Sequence, residues 1–246
     1  MRKLSYAPLE KIKCKRPVHR LLFLKKIVTD KTILDLGALD ETAYKIKANT
    51  KYWLHKVMSE TAKKVIGIDS SELLDSDEIC REGGGERGMV KPFPNSIIYK
   101  GNVFDLDNFI ESDIDIVVAG ELIEHLNDAQ FFLNKIKSYK SLENKKLIIT
   151  TPNACTMVNV IMALFGRESM HKDHVNIFSY KTLNTICKKT EMKYWEIIPY
   201  YSLFSEMLLN SHGIKKFITF LFNKFINFFQ FLFPLLSEGW ILIIDL

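Results

Sequence analysis

Glu121, Glu124 and His125 stand at i, i+3 and i+4 directly after Gly120, in the run Asp115–Leu126, DIVVAGELIEHL. If the chain turns into a helix after the glycine, this spacing puts two carboxylates and an imidazole on one face. Such a set is of metal-ligand grade, and its histidine could also serve as a general base. The plainer use of the same residues is a helix start, with an acid near the positive helix end and the histidine capping or packing.

The elements that must position this cluster are legible on either side of it. Ile114, Ile116, Val117, Val118 and Ala119 form a β-branched run with no polar face, which predicts a strand covered on both sides, as in a parallel sheet. In open α/β sheets ligands bind just beyond the carboxyl ends of strands, where the cluster falls. Upstream, Thr32–Gly37, TILDLG, predicts a buried strand ended by a glycine, followed by a helical stretch over Thr42–Thr61. A tight turn between the two lets backbone N–H groups approach a ligand. Lys64–Asp69, KVIGID, is a second strand ending in an acid. That acid is placed to accept hydrogen bonds from ribose hydroxyls, or it is a turn or capping residue. Ser70–Asn95, with GGGERG and two prolines, predicts a flexible loop. Ser96–Tyr99, Lys146–Thr151 (stopped by Pro152), Tyr194–Ile198 and Trp240–Leu246 complete the strands, with helices over Asp128–Lys140 and Tyr180–Lys189. The alternation implies parallel βαβ units.

With 246 residues, 47% hydrophobic and 26% charged, the chain can bury a full core and reads as one domain, 1–246. The net charge of +5 comes from 34 basic against 29 acidic residues. No dense basic block stands out, so nucleic acid is permitted but not indicated as a partner. The cysteines Cys14, Cys80, Cys155 and Cys187 show no CxxC spacing, and there is no apolar leader, which predicts free thiols in a reducing cytoplasm.

Within the domain, 1–30 reads as an N-terminal helical cap. Pro17 starts a short amphipathic helix through Val18, Leu21, Leu22, Leu24, Lys25 and Val28, serving as sheet packing or as a flap. Residues 31–200 are the core, 203–238 an apolar helical insert and 240–246 the last strand. Phe217–Phe233 holds eight of the 17 phenylalanines, but Asn223, Lys224, Asn227, Gln230 and Pro234 interrupt it, against a membrane span. An interfacial helix, a lid over the site and a core hairpin are the readings left open.

The order ILDLG, VIGID, GNVFDL, DIVVAGELIEHL, KLIITTPN, DHVNIFSYKTL resembles the class I S-adenosylmethionine-dependent methyltransferases over about residues 31 to 200 plus the last strand. The resemblance implies a Rossmann-like, doubly wound, mostly parallel seven-stranded sheet with a hydrophobic helical insert before the last strand. It further implies a cleft for S-adenosyl-L-methionine lined by Asp35 and Gly37, with Asp69 on the ribose, Asn102 and Val103 flanking the adenine, and Gly120 and Glu121 near the methionine end. One departure stands out. The family's first turn usually reads GxGxG, whereas Gly37 is followed by Ala38, Leu39, Asp40 and Glu41, which keeps open a non-catalytic cofactor-binding or scaffold relative.

The spacing ExxEH, with His174 in a DH segment after TPN, also resembles the metal site of small-RNA 2'-O-methyltransferases, and its first three residues that of ubiquinone-pathway O-methyltransferases. This implies that Glu121, Glu124, His125 and His174 bind Mg²⁺ or another divalent cation, with His171 competing for the fourth place. Without a metal, His125 or His174 would be the base. The expected activity is O-methylation of a hydroxyl on a small-molecule, sugar or lipid-linked acceptor, with peripheral membrane contact through the insert. RNA-end 2'-O-methylation is the alternative.

Overall fold

β1 (Thr32–Leu36), β2 (Lys64–Asp69), β3 (Met89–Phe93), β4 (Ser96–Lys100), β5 (Ile116–Gly120), β6 (Lys146–Pro152), β7 (Tyr194–Tyr200) and β8 (Gly239–Asp245) form one sheet in a computed structural model. Their order is β3-β4-β2-β1-β5-β6-β8-β7. The structure describes residues 11–40, 44–77, 79, 84–110 and 113–246. Glu41, Thr42, Cys80, Gly83 and the basic residues before Lys11 lie outside these.

The central strands β4, β2, β1, β5 and β6 are parallel, while β3 pairs antiparallel with β4, and β8 antiparallel with both β6 and β7. The sheet is therefore Rossmann-like and mostly parallel, as expected, with eight strands rather than seven. The additional strand is β3, which falls inside the stretch expected to be a loop. Pro92 and Pro94 hid it, yet a proline is tolerated in an edge strand because no ladder needs its N–H; the pairing with β4 shifts register between Val90 and Phe93.

Both faces of the sheet are covered, which is why its central strands are rich in apolar residues on both sides rather than alternating. Leu34, Leu36, Ile66 and Ile68 pack on one face with Phe132 and Leu183, from helices α4 (Ala129–Ser138) and α6 (Tyr180–Lys189). On the other face, Ile33, Val65, Ile116 and Ile148 pack with Leu24 of α1 (Arg20–Ile27) and Met58 of α3 (Leu54–Ser59). Each such side chain contributes about 1.5–3 kcal/mol on full burial. The helix starts follow capping chemistry. Asp128 accepts from Phe131 N at 2.8 Å, and Ser179 and Thr182 form a capping box.

The helical stretch expected over Thr42–Thr61 is two short helices, α2 (Tyr44–Lys47) and α3. Between them the Thr50 hydroxyl accepts from Tyr52 N at 3.1 Å, closing a turn that ends the first helix. α5 (Met157–Leu164) follows β6, and α7 (Ser205–Leu209) and α8 (Gly213–Leu232) form the insert between β7 and β8. Since β6 and β7 both run antiparallel to β8, the insert leaves and rejoins the sheet at the edge holding the carboxyl ends of β1, β5 and β6. No helix of the described residues is long and apolar enough to cross a membrane.

Candidate active site

At the end of β5 the backbone turns sharply. A Cβ on Gly120 would lie 2.4 Å from Leu54 Cδ2, so the glycine lets the Leu54 side chain of α3 pack directly on the end of the strand. Glu121 then adopts φ +54°, a left-handed conformation that a glutamate holds only when its surroundings over-determine it. They do: Glu121 N donates to Thr150 O at 2.9 Å, and its carboxylate meets the Arg20 guanidinium at 2.6 Å and accepts from the Tyr200 hydroxyl at 3.0 Å. Space for that phenol comes from Gly239, where a Cβ would sit 2.2 Å from the Tyr200 oxygen.

Burial alone would lower the pKa of Arg20, but Glu121 and Tyr200 more than reverse it and hold the guanidinium charged. Burial, then Glu121, pushes the Tyr200 phenol well above its ordinary value, so it remains a hydroxyl donor.

After Glu121 the chain makes a single 3₁₀ turn, Ile123–His125, rather than the α-helix the spacing suggested. The Glu121 carboxylate is instead held by Arg20 and Tyr200, within electrostatic reach of Glu124. Among the described residues, the set able to converge on one ion is Glu124, His125 and His174, whose ligand atoms all lie within 4.8 Å of one another. Val175 N and Asn176 N both donate to Glu124 O, at 2.9 and 3.0 Å, and the Asn176 side chain donates to Leu126 O. The loop after β6 is thereby pinned onto the 3₁₀ turn, carrying His174 over it. The rings of His125 and His174 lie 4.6 Å apart, centroid to centroid, and His171 lies 5.6 Å from His174.

Glu124 is 1% exposed, and neither of its carboxylate oxygens makes a well-formed hydrogen bond, although its own backbone N–H and the Thr151 hydroxyl approach closely enough to favour the charged form. Thr151 Oγ1 and His174 Nδ1 are buried and unpartnered as well. Burial, then the charge of Glu121, raises the Glu124 pKa well above its ordinary value. Burial, then His125 and His171, lowers that of His174, which favours the neutral imidazole a metal needs. An orphaned buried carboxylate beside an imidazole with a bare nitrogen is a donor set that a divalent cation would satisfy.

The other half of the edge holds the residues assigned to the cofactor. Gly37 has φ +75°, and its successors account for part of the departure from GxGxG. Ala38 and Leu39 are 4% and 0% exposed and turn into a cluster with Tyr44, Trp53, Leu74 and Ile79. Trp53 Nε1 donates to Ala38 O at 2.9 Å. The room for Ala38 comes from Gly67, where any Cβ would lie 2.7 Å from that of Ala38. Leu39, at the second glycine position of GxGxG, therefore points inward, while Glu41, at the third, lies outside the described residues.

Asp69 fastens this turn to β2, accepting from Leu39 N at 2.8 Å and Ser71 N at 2.9 Å. Asp35 is buried and meets His55 Nδ1 at 2.8 Å, which ties β1 to α3. Asn102 accepts from Phe104 N at 3.0 Å, beside Gly101, whose N–H donates to Asp69 O at 2.9 Å. Val103 is buried in the main core. The structure thus brings Asp69 and Asn102 to adjacent strand ends and turns Asp35 to a protein partner. Arg20, His55, Gly67 and Tyr200 were not singled out from the sequence. Arg20, a lone guanidinium inside the apolar run VHRLLFL, was the readable signal among them.

No protein-family model and no curated protein matches the chain in sequence. Solved structures match it in fold. A Haemonchus contortus phosphoethanolamine N-methyltransferase 2 bound to S-adenosyl-L-methionine is 16% identical, with TM-score 0.53 over 92% of this chain and 52% of its own. The methyltransferase domain of bacterial CtHen1 is 16% identical, with TM-score 0.51 over 93% and 98%. An Archaeoglobus fulgidus SAM-dependent methyltransferase is 16% identical, with TM-score 0.50 over 92% and 93%. These likenesses establish a Rossmann-like methyltransferase fold.

Proposed function

We propose that the chain is an S-adenosylmethionine-dependent methyltransferase acting on a hydroxyl oxygen of a small-molecule, sugar or lipid-linked acceptor, assisted by a divalent cation such as Mg²⁺. The observation that carries this reading is the Glu124 carboxylate, buried without a hydrogen-bond partner next to His125 and His174, at the strand edge where doubly wound folds bind ligands.

Glu124, His125 and His174 would hold the cation, whose chemistry when bound is to lower the pKa of a hydroxyl and fix its oxygen. Arg20 and Tyr200 keep Glu121 occupied beside the site. Asp69 supports the cofactor role by its place at the end of β2, the strand end from which an acid reaches ribose hydroxyls. In the transfer, the acceptor's O–H proton is lost, an O–CH₃ bond forms, and the sulfonium S–CH₃ bond breaks to release S-adenosylhomocysteine. In the absence of metal, His125 or His174 would take that proton, and the depressed pKa of His174 keeps it able to do so at neutral pH.

Calorimetric titration with S-adenosylmethionine tests the cofactor half of the proposal, and a silent titration refutes it. Transfer of labelled methyl groups in Mn²⁺ against excess EDTA tests the cation. Full turnover in EDTA, with no metal found by elemental analysis, removes it. Labelling of RNA 3' ends instead of the proposed acceptors would move the acceptor class.

A further inference from the structure

The long helix of the insert is inside out. Thr219, Asn223, Ile226 and Gln230, spaced i, i+4, i+7 and i+11, form the stripe of α8 that faces the protein. Of these, Thr219, Ile226 and Gln230 are buried. Three of the four are polar, and two of these, Gln230 and Asn223, are hydrogen-bonded to the protein. Gln230 accepts from Ser202 N at 3.0 Å and donates to Ser202 Oγ at 2.8 Å, and that hydroxyl donates to Glu238 at 2.6 Å. Asn223 donates to Leu203 O at 3.3 Å.

The opposite side presents Phe217, Phe225 and Phe228, each more than half exposed. A helix built to face water carries the reverse pattern. α5, MVNVIMAL, packs beside α8 and has no buried residue of its own, and it runs into Leu164 and Phe165, which are 80% and 74% exposed. An apolar face of this extent marks an interaction surface.

We infer that α8 and α5 seat the protein on an anionic lipid bilayer, with α8 lying in the plane of the interface and its phenylalanine side below the headgroups. Charge selects this occupant. α8 carries Lys215, Lys216 and Lys224 and no acidic residue. A second copy of the chain on the same face would oppose lysines to lysines across a two-fold axis, whereas anionic headgroups attract them. The Lys224 ammonium lies 5.5 Å from the Phe220 ring centroid, and its four-carbon stem lets it reach the headgroups from among the phenylalanines. At 20 residues the helix has the length to span a bilayer, about 30 Å, but its polar stripe and lysines leave it not apolar enough to cross one, which suits a helix lying in the interface.

The insert is rooted at the carboxyl edge, so docking holds the active-site edge near the headgroups and favours a lipid-linked acceptor. That consequence rests on the methyl-transfer reading. The docking does not, and the experiment reads docking alone.

The full chain is floated with phosphatidylcholine vesicles with and without phosphatidylglycerol. It should float with the anionic vesicles, and F217S/F225S/F228S should reduce the bound fraction roughly tenfold or more, with circular dichroism showing an unchanged fold. K215E/K216E should remove the preference for anionic lipid. If the triple variant fails to fold, L164S/F165S, altered at the exposed end of the same face, should show the same direction of loss. The inference is overturned if the wild type floats with neither vesicle, if the folded phenylalanine variants float as well as the wild type, or if ultracentrifugation shows a dimer that those variants dissociate while vesicles go unbound.

Discussion

Replacing Glu124 by glutamine should stabilise the metal-free protein and sharply weaken its response to metal. The side chain is 1% exposed, and neither oxygen is hydrogen-bonded. A buried polar group left without a partner costs about 1–3 kcal/mol, and more when it is charged. Burial and the neighbouring charge of Glu121 raise the Glu124 pKa well above 4.5, against smaller opposing effects from its own backbone N–H, the Thr151 hydroxyl and Arg20, none of which forms a well-made hydrogen bond to the carboxylate. The sign follows from proton binding. The folded state holds this proton more tightly than the unfolded chain, so stability is greatest at acid pH and falls as pH rises from about 4.5 towards the raised value.

Glutamine keeps the shape and removes the charge. In EDTA at pH 7, Glu124→Gln should therefore melt higher by about 2–4 °C for each kcal/mol recovered in a chain of this size, and the excess should vanish near pH 4. Mn²⁺ at 100 times its Kd should stabilise the wild type by about 2.7 kcal/mol and the variant far less. Scanning calorimetry in EDTA and in Mn²⁺ reads both effects. A variant that melts lower in EDTA at pH 7, or gains as much from Mn²⁺ as the wild type, would show that Glu124 is not an orphaned ligand.

Asp69→Ala should weaken S-adenosylmethionine binding at least tenfold, since a charge-assisted hydrogen bond is worth about 1.5–3 kcal/mol; unchanged calorimetric affinity in a folded variant would sink that assignment. Gly67→Ala should destabilise by about 1–3 kcal/mol through its clash with Ala38. Ala38→Gly in the same chain should recover part of that loss in urea titrations, whereas strict additivity would separate the two sites. Arg20→Met should leave Glu121 half-buried without its cation and destabilise by roughly 1–3 kcal/mol, less than the 3–5 of a fully buried pair, and Arg20→Met/Glu121→Gln should recover most of it. A double variant no more stable than the single one would refute the pairing.

The strands were legible because burial on both faces writes itself locally, as short runs dominated by apolar residues. The carboxyl edge as the ligand edge followed from the alternation of strands and helices. What escaped depends on distant partners. Nothing near Glu121 in sequence announces a left-handed glutamate, because Arg20 and Tyr200, which hold it there, come from opposite ends of the chain. β3 was masked by prolines that only an edge position tolerates. In α8 the polar interruptions were visible, but a sequence does not say which side of a helix meets the protein. Their common stripe against Ser202 and Leu203 needed the tertiary structure.

The division between the two glutamates bears on the chemistry proposed for them. Three residues apart, they end in opposite conditions, Glu121 neutralised by Arg20 and Glu124 buried without a partner. Were both to face one divalent ion with two neutral imidazoles, the site would carry no net charge. With Glu121 drawn away, one carboxylate and two imidazoles leave a net charge of about +1 around a divalent ion, and an oxygen losing its proton develops negative charge that such a site stabilises. On the proposed reading, Arg20 therefore acts as a positioning residue through Glu121. Its loss should release a second carboxylate towards the ion, tightening metal binding while slowing transfer. A role for Arg20 in stability alone would leave metal affinity unchanged, and the two outcomes separate in a single Mn²⁺ titration of Arg20→Met.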